Sequence, residues 1–179
     1  MRISLEKANS DFNDELQRQI DGSLPKGHIY SLGYPGEILR EAGVLDLPIE
    51  LKAEILAYKS SENYRHPFDL SKIKDLPNAI NDPLAVFAYG DKTKAVNIIT
   101  RIEINEKNIL VGISLNPEVN GSRLNINSVR TIFPKDKLEW SNWLKQGKGL
   151  ITNPRHPEDV AITPISKYNK FSNKKQDFC

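Results

Sequence analysis

Arg130 and Ser128 stand two residues apart in the segment Asn127-Ser128-Val129-Arg130. In an extended strand, that spacing puts both side chains on one face. The planar guanidinium fork matches two oxygens of a phosphate, and a hydroxyl beside it can donate to the same group. Arg101 is an alternative phosphate ligand in the preceding strand region, where Gly112 and Ser114 follow. His66 has a side chain that exchanges protons near neutral pH. Lys59 can add positive charge. Each has a bland reading beside the chemical one. Arg130 suits a cross-strand surface pair with Glu103. His66 suits the turn His66-Pro67-Phe68-Asp69 that leads to a helix cap. Lys59 suits the negative end of a helix dipole. Trp140 and Trp143 have the i, i+3 spacing of a helix and, with Leu144 beside them, read first as core, although Trp143 can also stack a base.

Other chemistries lack their residues. The only cysteine is Cys179, and the three histidines are scattered, so there is no disulfide and no zinc-ligand spacing. No Gly-rich phosphate loop, carboxylate pair or serine-hydrolase signature occurs, which leaves NTPase, glycosidase and serine hydrolase readings without support. No metal and no cofactor are expected. No apolar run approaches the ~20 residues of a membrane helix, and the N-terminus lacks a signal-peptide pattern, so the expectation is a soluble, cytoplasmic chain with no membrane partner. A formal charge of +2 permits a nucleic-acid partner without demanding one.

The elements that must hold these residues follow from periodicity. Ser4 caps a helix whose apolar stripe is Ala8, Phe12, Leu16 and Ile20, ended by Gly22. Pro35 opens a second helix, ended by Gly43. Leu47-Pro48-Ile49 is extended, Lys52 to Lys59 forms a third helix, and Asp69 caps another. From Leu84 to Asp136 the chain alternates in period two. The four-residue turn Asn105-Glu106-Lys107-Asn108 predicts a hairpin with Ile104 opposite Ile109, Ile102 opposite Val111 and Thr100 opposite Ile113. The other face then receives Arg101 opposite Gly112 and Ile99 opposite Ser114. Ser128 and Arg130 join it, while Val129, Thr131 and Phe133 turn away. Asp136 caps a last helix, and Gly149-Leu150-Ile151 offers an edge strand. The predicted fold class is α+β: N-terminal helices on one face of a sheet of about four antiparallel strands, followed by a C-terminal helix. The expected organisation is a helical arm over 1–25, a core over 26–152 and a loosely ordered polar tail over 153–179, whose lysines are solubilising.

The run Gly33-Tyr34-Pro35-Gly36-Glu37-Ile38-Leu39-Arg40-Glu41-Ala42-Gly43, with Leu47-Pro48-Ile49, resembles the start of the C-terminal domain of phage MuF-type proteins. Leu56 with Lys59, His66, Leu76-Pro77, Asp82-Pro83-Leu84-Ala85-Val86-Phe87 and Asn127-Ser128-Val129-Arg130 continue the resemblance in order, across roughly Gly33 to Leu150. The resemblance implies the broad barnase, EndoU, colicin and RelE-like nuclease fold and, with it, a metal-independent endoribonuclease. Such a toxin or effector is carried by a phage or mobile element as one module of a polyprotein-like parent. RNA, transfer RNA among the candidates, would be the substrate, an immunity protein a partner, and the host cytoplasm the place of action after delivery by a phage particle. Cleavage would proceed by 2′-OH attack. His66, Arg130, Ser128 and Lys59 are the catalytic candidates, and Arg101, Ser114 and Trp143 the RNA-binding ones. The rival expectation is a catalytically inactive binding or structural module of a virion or injected protein.

Overall fold

The computed structural model describes residues 2–153. Helix α1 (Leu5–Asp21) begins as its cap predicts: the Ser4 hydroxyl accepts the Lys7 backbone N–H at 3.1 Å. Left-handed Gly22 (φ 81°) ends the helix. Ala8, Phe12 and Leu16 are buried, whereas Ile20, the last of the stripe, is 40% exposed. Through Phe12 and Leu16, α1 docks on the main core. That core also takes Leu39 from α2 (Glu37–Glu41), Leu56 from α3 (Ala53–Lys59), Ile73 from a 3₁₀ turn (Leu70–Ile73) and Ile80 from α4 (Leu76–Asn81). Asp75 locks α1 to α4 by accepting 2.8 Å hydrogen bonds from the amides of Asn9 and Asn13. Those two bonds, that of Asn13 first, hold its carboxyl below the usual range.

The sheet differs from the expectation. Among the described residues it has seven strands and is mixed. Its principal strands are β3 (Ala85–Ala88), β4 (Ala95–Ile104), β5 (Lys107–Leu115) and β8 (Asn127–Lys135). Beyond them lie β1 (Ile29–Ser31), β2 (Ile49–Lys52) and the edge strand β9 (Gly149–Thr152), in the order β1-β2-β8-β5-β4-β3-β9. A separate small hairpin pairs β6 (Glu118–Val119) with β7 (Ser122–Arg123). The four-strand antiparallel expectation finds its strands in β3, β4, β5 and β8, and the edge strand expected at Gly149-Leu150-Ile151 is β9, but β1 and β2 extend the sheet at its other side. There β2 pairs parallel to β8. Asn127 makes that junction. Its backbone N–H donates to Pro48, and its buried side-chain amide donates to the carbonyls of Leu45 and Leu47. These partners lie some 80 residues away and are invisible to local periodicity.

The hairpin register also needs correction. The turn holds two residues rather than four: Asn105 and Glu106 both take positive φ (52° and 66°), and Ile104 lies opposite Lys107, not Ile109. Thr100, Arg101 and Ile102 then bulge past Ile109. Beyond them Ile98 faces Val111, Asn97 faces Gly112 and Ala95 faces Ser114. The bulge is stable because side chains satisfy what the ladder leaves open. The Thr100 hydroxyl donates to the Ile109 carbonyl (2.8 Å) and the Asn108 amide to the Thr100 carbonyl (3.1 Å). Val111 and Ile113 are buried and Arg101 is exposed, as expected, while Ile102 is only half-buried.

The second face of the sheet is partly covered. Helix α5 (Lys137–Lys145) begins where Asp136 caps it, accepting from Leu138 at 2.8 Å, and covers part of that face. Trp140 and Leu144 form a second core with Ala85, Phe87, Ile99 and Leu110. The Trp140 indole N–H donates to the Asn108 side chain at 3.2 Å. Among the described residues, no helix is long and apolar enough to cross a membrane. The expected polar tail, beyond Asn153, lies outside the described residues.

A glutamate in the left-handed region is strained, because its Cβ crowds the following carbonyl. Glu106→Gly should therefore raise stability by about 0.5–1 kcal/mol. The measurement is a shift of the denaturant midpoint at constant m-value. A four-residue turn would show no gain.

Candidate functional site

The site forms where α5 leaves the second face uncovered. Along β8, Ile113 pairs with Val129 and Gly112 with Thr131, so Arg130 is the extra residue of a bulge. Val129 and Ile132 thereby both reach the main core. Thr131 and Phe133, expected to turn away from Arg130, instead share its side of the sheet. The Arg130 side chain lies flat across β5. A Cβ on residue 112 would stand 2.6 Å from its Cζ, so the absence of a side chain at Gly112 is what admits the guanidinium. Its Nη2 donates to the Asn97 Oδ1 on β4, and its Cζ lies 4.0 Å from the centre of the Tyr89 ring. Its Nε is buried, with no hydrogen-bond partner among the described residues. Burial lowers the Arg130 pKa from its ordinary value.

Arg130 forms one wall of a cavity of about 780 Å³, a volume suited to a small ligand or a few residues of a polymer. Aromatic rings (Phe87, Tyr89, Phe133 and Trp143) and cations (Lys92, Arg130, Lys135 and Lys148) line it, and among the described residues no carboxylate or histidine does. Trp143 packs edge-on against Phe87, with ring centres 5.3 Å apart. The Lys135 ammonium stands 4.9 Å from the Trp143 ring and is shared with Glu139 at 2.7 Å. Rings beside cations suit a planar ligand that carries negative charge.

The structure brings two of the expected residues, Arg130 and Trp143, into this groove. Ser128 and Ser114 face each other across β8 and β5 but lie outside the lining. Lys59, at the end of α3, stands 5.5 Å from the ring of Phe133, so it touches the groove only through that residue. His66 is exposed and lines a separate cavity of about 240 Å³ with Ile104, Asn105 and Pro134, at the hairpin end of the sheet. Arg101 lines a third cavity with Asp75 and Asp82, next to α4. The cation beside Gly112 is thus Arg130 rather than Arg101. Sequence reasoning missed Tyr89, Asn97, Phe133 and Lys135. Tyr89 follows the end of β3, and the others read as ordinary strand positions; the available signal was the aromatic content of the flanks of β3 and β8.

A family description, the phage MuF C-terminal domain, matches residues 57–156. The chain belongs to that family. The match starts at the end of α3 and includes every residue of the groove; the segment from Gly33 to Leu56, where the expected resemblance began, precedes it. No curated protein and no solved structure matches the chain.

Gly112→Ala should leave the fold intact, because the group it meets is the far end of a flexible side chain, but should expel the guanidinium from β5. The expected result is an unchanged far-ultraviolet spectrum with loss of any ligand affinity that depends on Arg130. A variant that binds like wild type would show that Arg130 does not act from this position.

Proposed function

We propose that this phage-family domain is a binding module that holds RNA in the groove of Arg130, Tyr89, Lys135 and Trp143. The observation that carries the reading is the half-buried Arg130 guanidinium, laid over Gly112 and against Tyr89 in a groove that, among the described residues, is lined by four cations and no carboxylate. A half-buried cation with an unpartnered buried Nε and no acidic partner among the described residues is costly, and a phosphate offsets that cost. The neighbouring rings offer faces to unstacked bases. This reading unites the binding-module expectation with RNA as the partner and assigns no acid or base.

Binding is tested by titrating labelled single-stranded RNA at several salt concentrations. Affinity should fall with salt, with a slope of about −0.7 per phosphate contacted. Arg130→Ala should weaken binding by about tenfold or more, since charge-assisted bonds contribute about 1.5–3 kcal/mol. His66→Ala should change it less than twofold, because His66 lines another cavity. Absence of RNA binding by the wild type would overturn the reading.

Cleavage is the second reading, and Arg130 again favours it. A preorganised, half-buried cation stabilises the charge of a phosphorane. On this reading the fold belongs with the barnase, EndoU, colicin and RelE-like nucleases, and the domain is a toxin or effector with an immunity partner. The proton transfers would need groups at the groove, where Tyr89 stands against Arg130 and Lys135 lies further along the lining, or a movement that brings His66 across. Cleavage should persist in EDTA, leave 2′,3′-cyclic phosphate ends, spare DNA and fall about 10²–10³-fold in Arg130→Ala. Intact RNA after prolonged incubation with a protein that binds it would leave binding as the function.

A further inference from the structure

The groove does not close at Phe133. Strand β2 pairs with β8 only at Asn127 and Ser128, so from Val129 onward the outer edge of β8 pairs with no strand among the described residues. Helix α3 packs beside that edge and carries Lys59 to it. The Phe133 ring stands 5.9 Å from the Lys135 ammonium inside the groove and 5.5 Å from the Lys59 ammonium outside it. Lys59 in turn lies 4.2 Å over the ring of Tyr64. Both Lys59 and Tyr64 are half-exposed. Cation, ring, cation and ring thus follow one another from Lys135 over the edge of the sheet to Tyr64. From Arg130 to Lys135 alone, β8 runs about 16 Å, more than one nucleotide spans.

We propose that Lys59 and Tyr64 form a second subsite, continuous with the groove over the free edge of β8, and that the domain therefore takes a single strand of several nucleotides rather than a lone nucleotide or a duplex. This rests on the reading of the groove as an RNA site. Alternating cations and ring faces match a chain whose phosphates and unstacked bases alternate, whereas a duplex keeps its base faces stacked inside. The position of Lys59 at the end of α3 would be satisfied by an ammonium directed at the last carbonyls; here it is turned onto two rings instead.

The test is fluorescence anisotropy on the full chain, with 2′-O-methyl oligonucleotides that cannot undergo 2′-OH attack. A dinucleotide reads the groove alone, and a hexanucleotide reads both subsites. The hexanucleotide should bind at least tenfold more tightly than the dinucleotide, and annealing it to its complement should abolish that advantage. Tyr64→Ala and Lys59→Gln should each weaken the hexanucleotide about fivefold or more while leaving the dinucleotide within twofold. Lys59→Gln should also reduce the salt slope for the hexanucleotide by about 0.7, and Lys59→Arg should retain it. Equal affinity for the two lengths would overturn the second subsite while leaving the groove standing. So would a hexanucleotide indifferent to both substitutions, or substitutions that weaken both lengths alike. Failure of the wild type to bind either length would instead remove the groove reading on which the subsite rests.

Discussion

The bulge at Arg130 is the constraint on which the second face of this domain depends. A regular strand would place Val129 and Ile132 on opposite faces; inserting one residue lets both enter the main core. The inserted residue must then go to the other face, and there it meets a sheet position without a side chain. Gly112 and the bulge are therefore complementary: one supplies a long cationic side chain, the other the channel it lies in. Asn97, opposite Gly112 on β4, accepts from the end of the guanidinium, so three neighbouring strands fix one charged group. Such support makes Arg130 a preorganised group rather than a mobile surface cation.

Helix α5 sets how far that group is exposed. It covers the second face at Ile99, Leu110 and Phe87 with Trp140 and Leu144, and stops before it reaches Arg130. Trp140 is tied to Asn108, and Asn108 to the backbone of Thr100, so the helix is anchored to the irregular stretch of the β4–β5 hairpin. The same buried polar contacts that satisfy that bulge thus fix one wall of the groove. The remaining wall comes from Tyr89 after β3 and from the segment Gly147–Leu150 leading into β9.

How much of this could be read from the residues depended on range. Helices with a side-chain cap, α1 at Ser4 and α5 at Asp136, were legible because a cap and the backbone N–H that donates to it lie within three residues. The strands β3, β4 and β5 were legible from their alternation. Their register was not, because Asn105 to Asn108 are all polar and nothing local says that Asn105 and Glu106 alone make the turn. Glutamate is an unusual occupant of a left-handed position, and the hydroxyl of Thr100, which stabilises the slip, looks in sequence like any strand threonine. Arg130 and Gly112 were both singled out, but the slipped register assigned the glycine to Arg101. The parallel pairing of β2 with β8 rests on Asn127 reaching carbonyls far back in the chain, which no periodicity encodes.

Charge and proton transfer are separate demands on the groove. Family membership brings a phage context, and the fold brings a site, but catalysis needs groups that gain and lose protons where bonds change. Among the described residues the groove is lined by cations and rings, and by neither a histidine nor a carboxylate. The residue best suited to proton transfer, His66, borders the hairpin end instead, beside Pro134, whose strand partner Ile109 belongs to the main core. The binding proposed here asks less of the arrangement, because holding an anion requires only cations fixed in place. Cleavage requires one further element at the groove, and that requirement, rather than the fold, distinguishes the two activities.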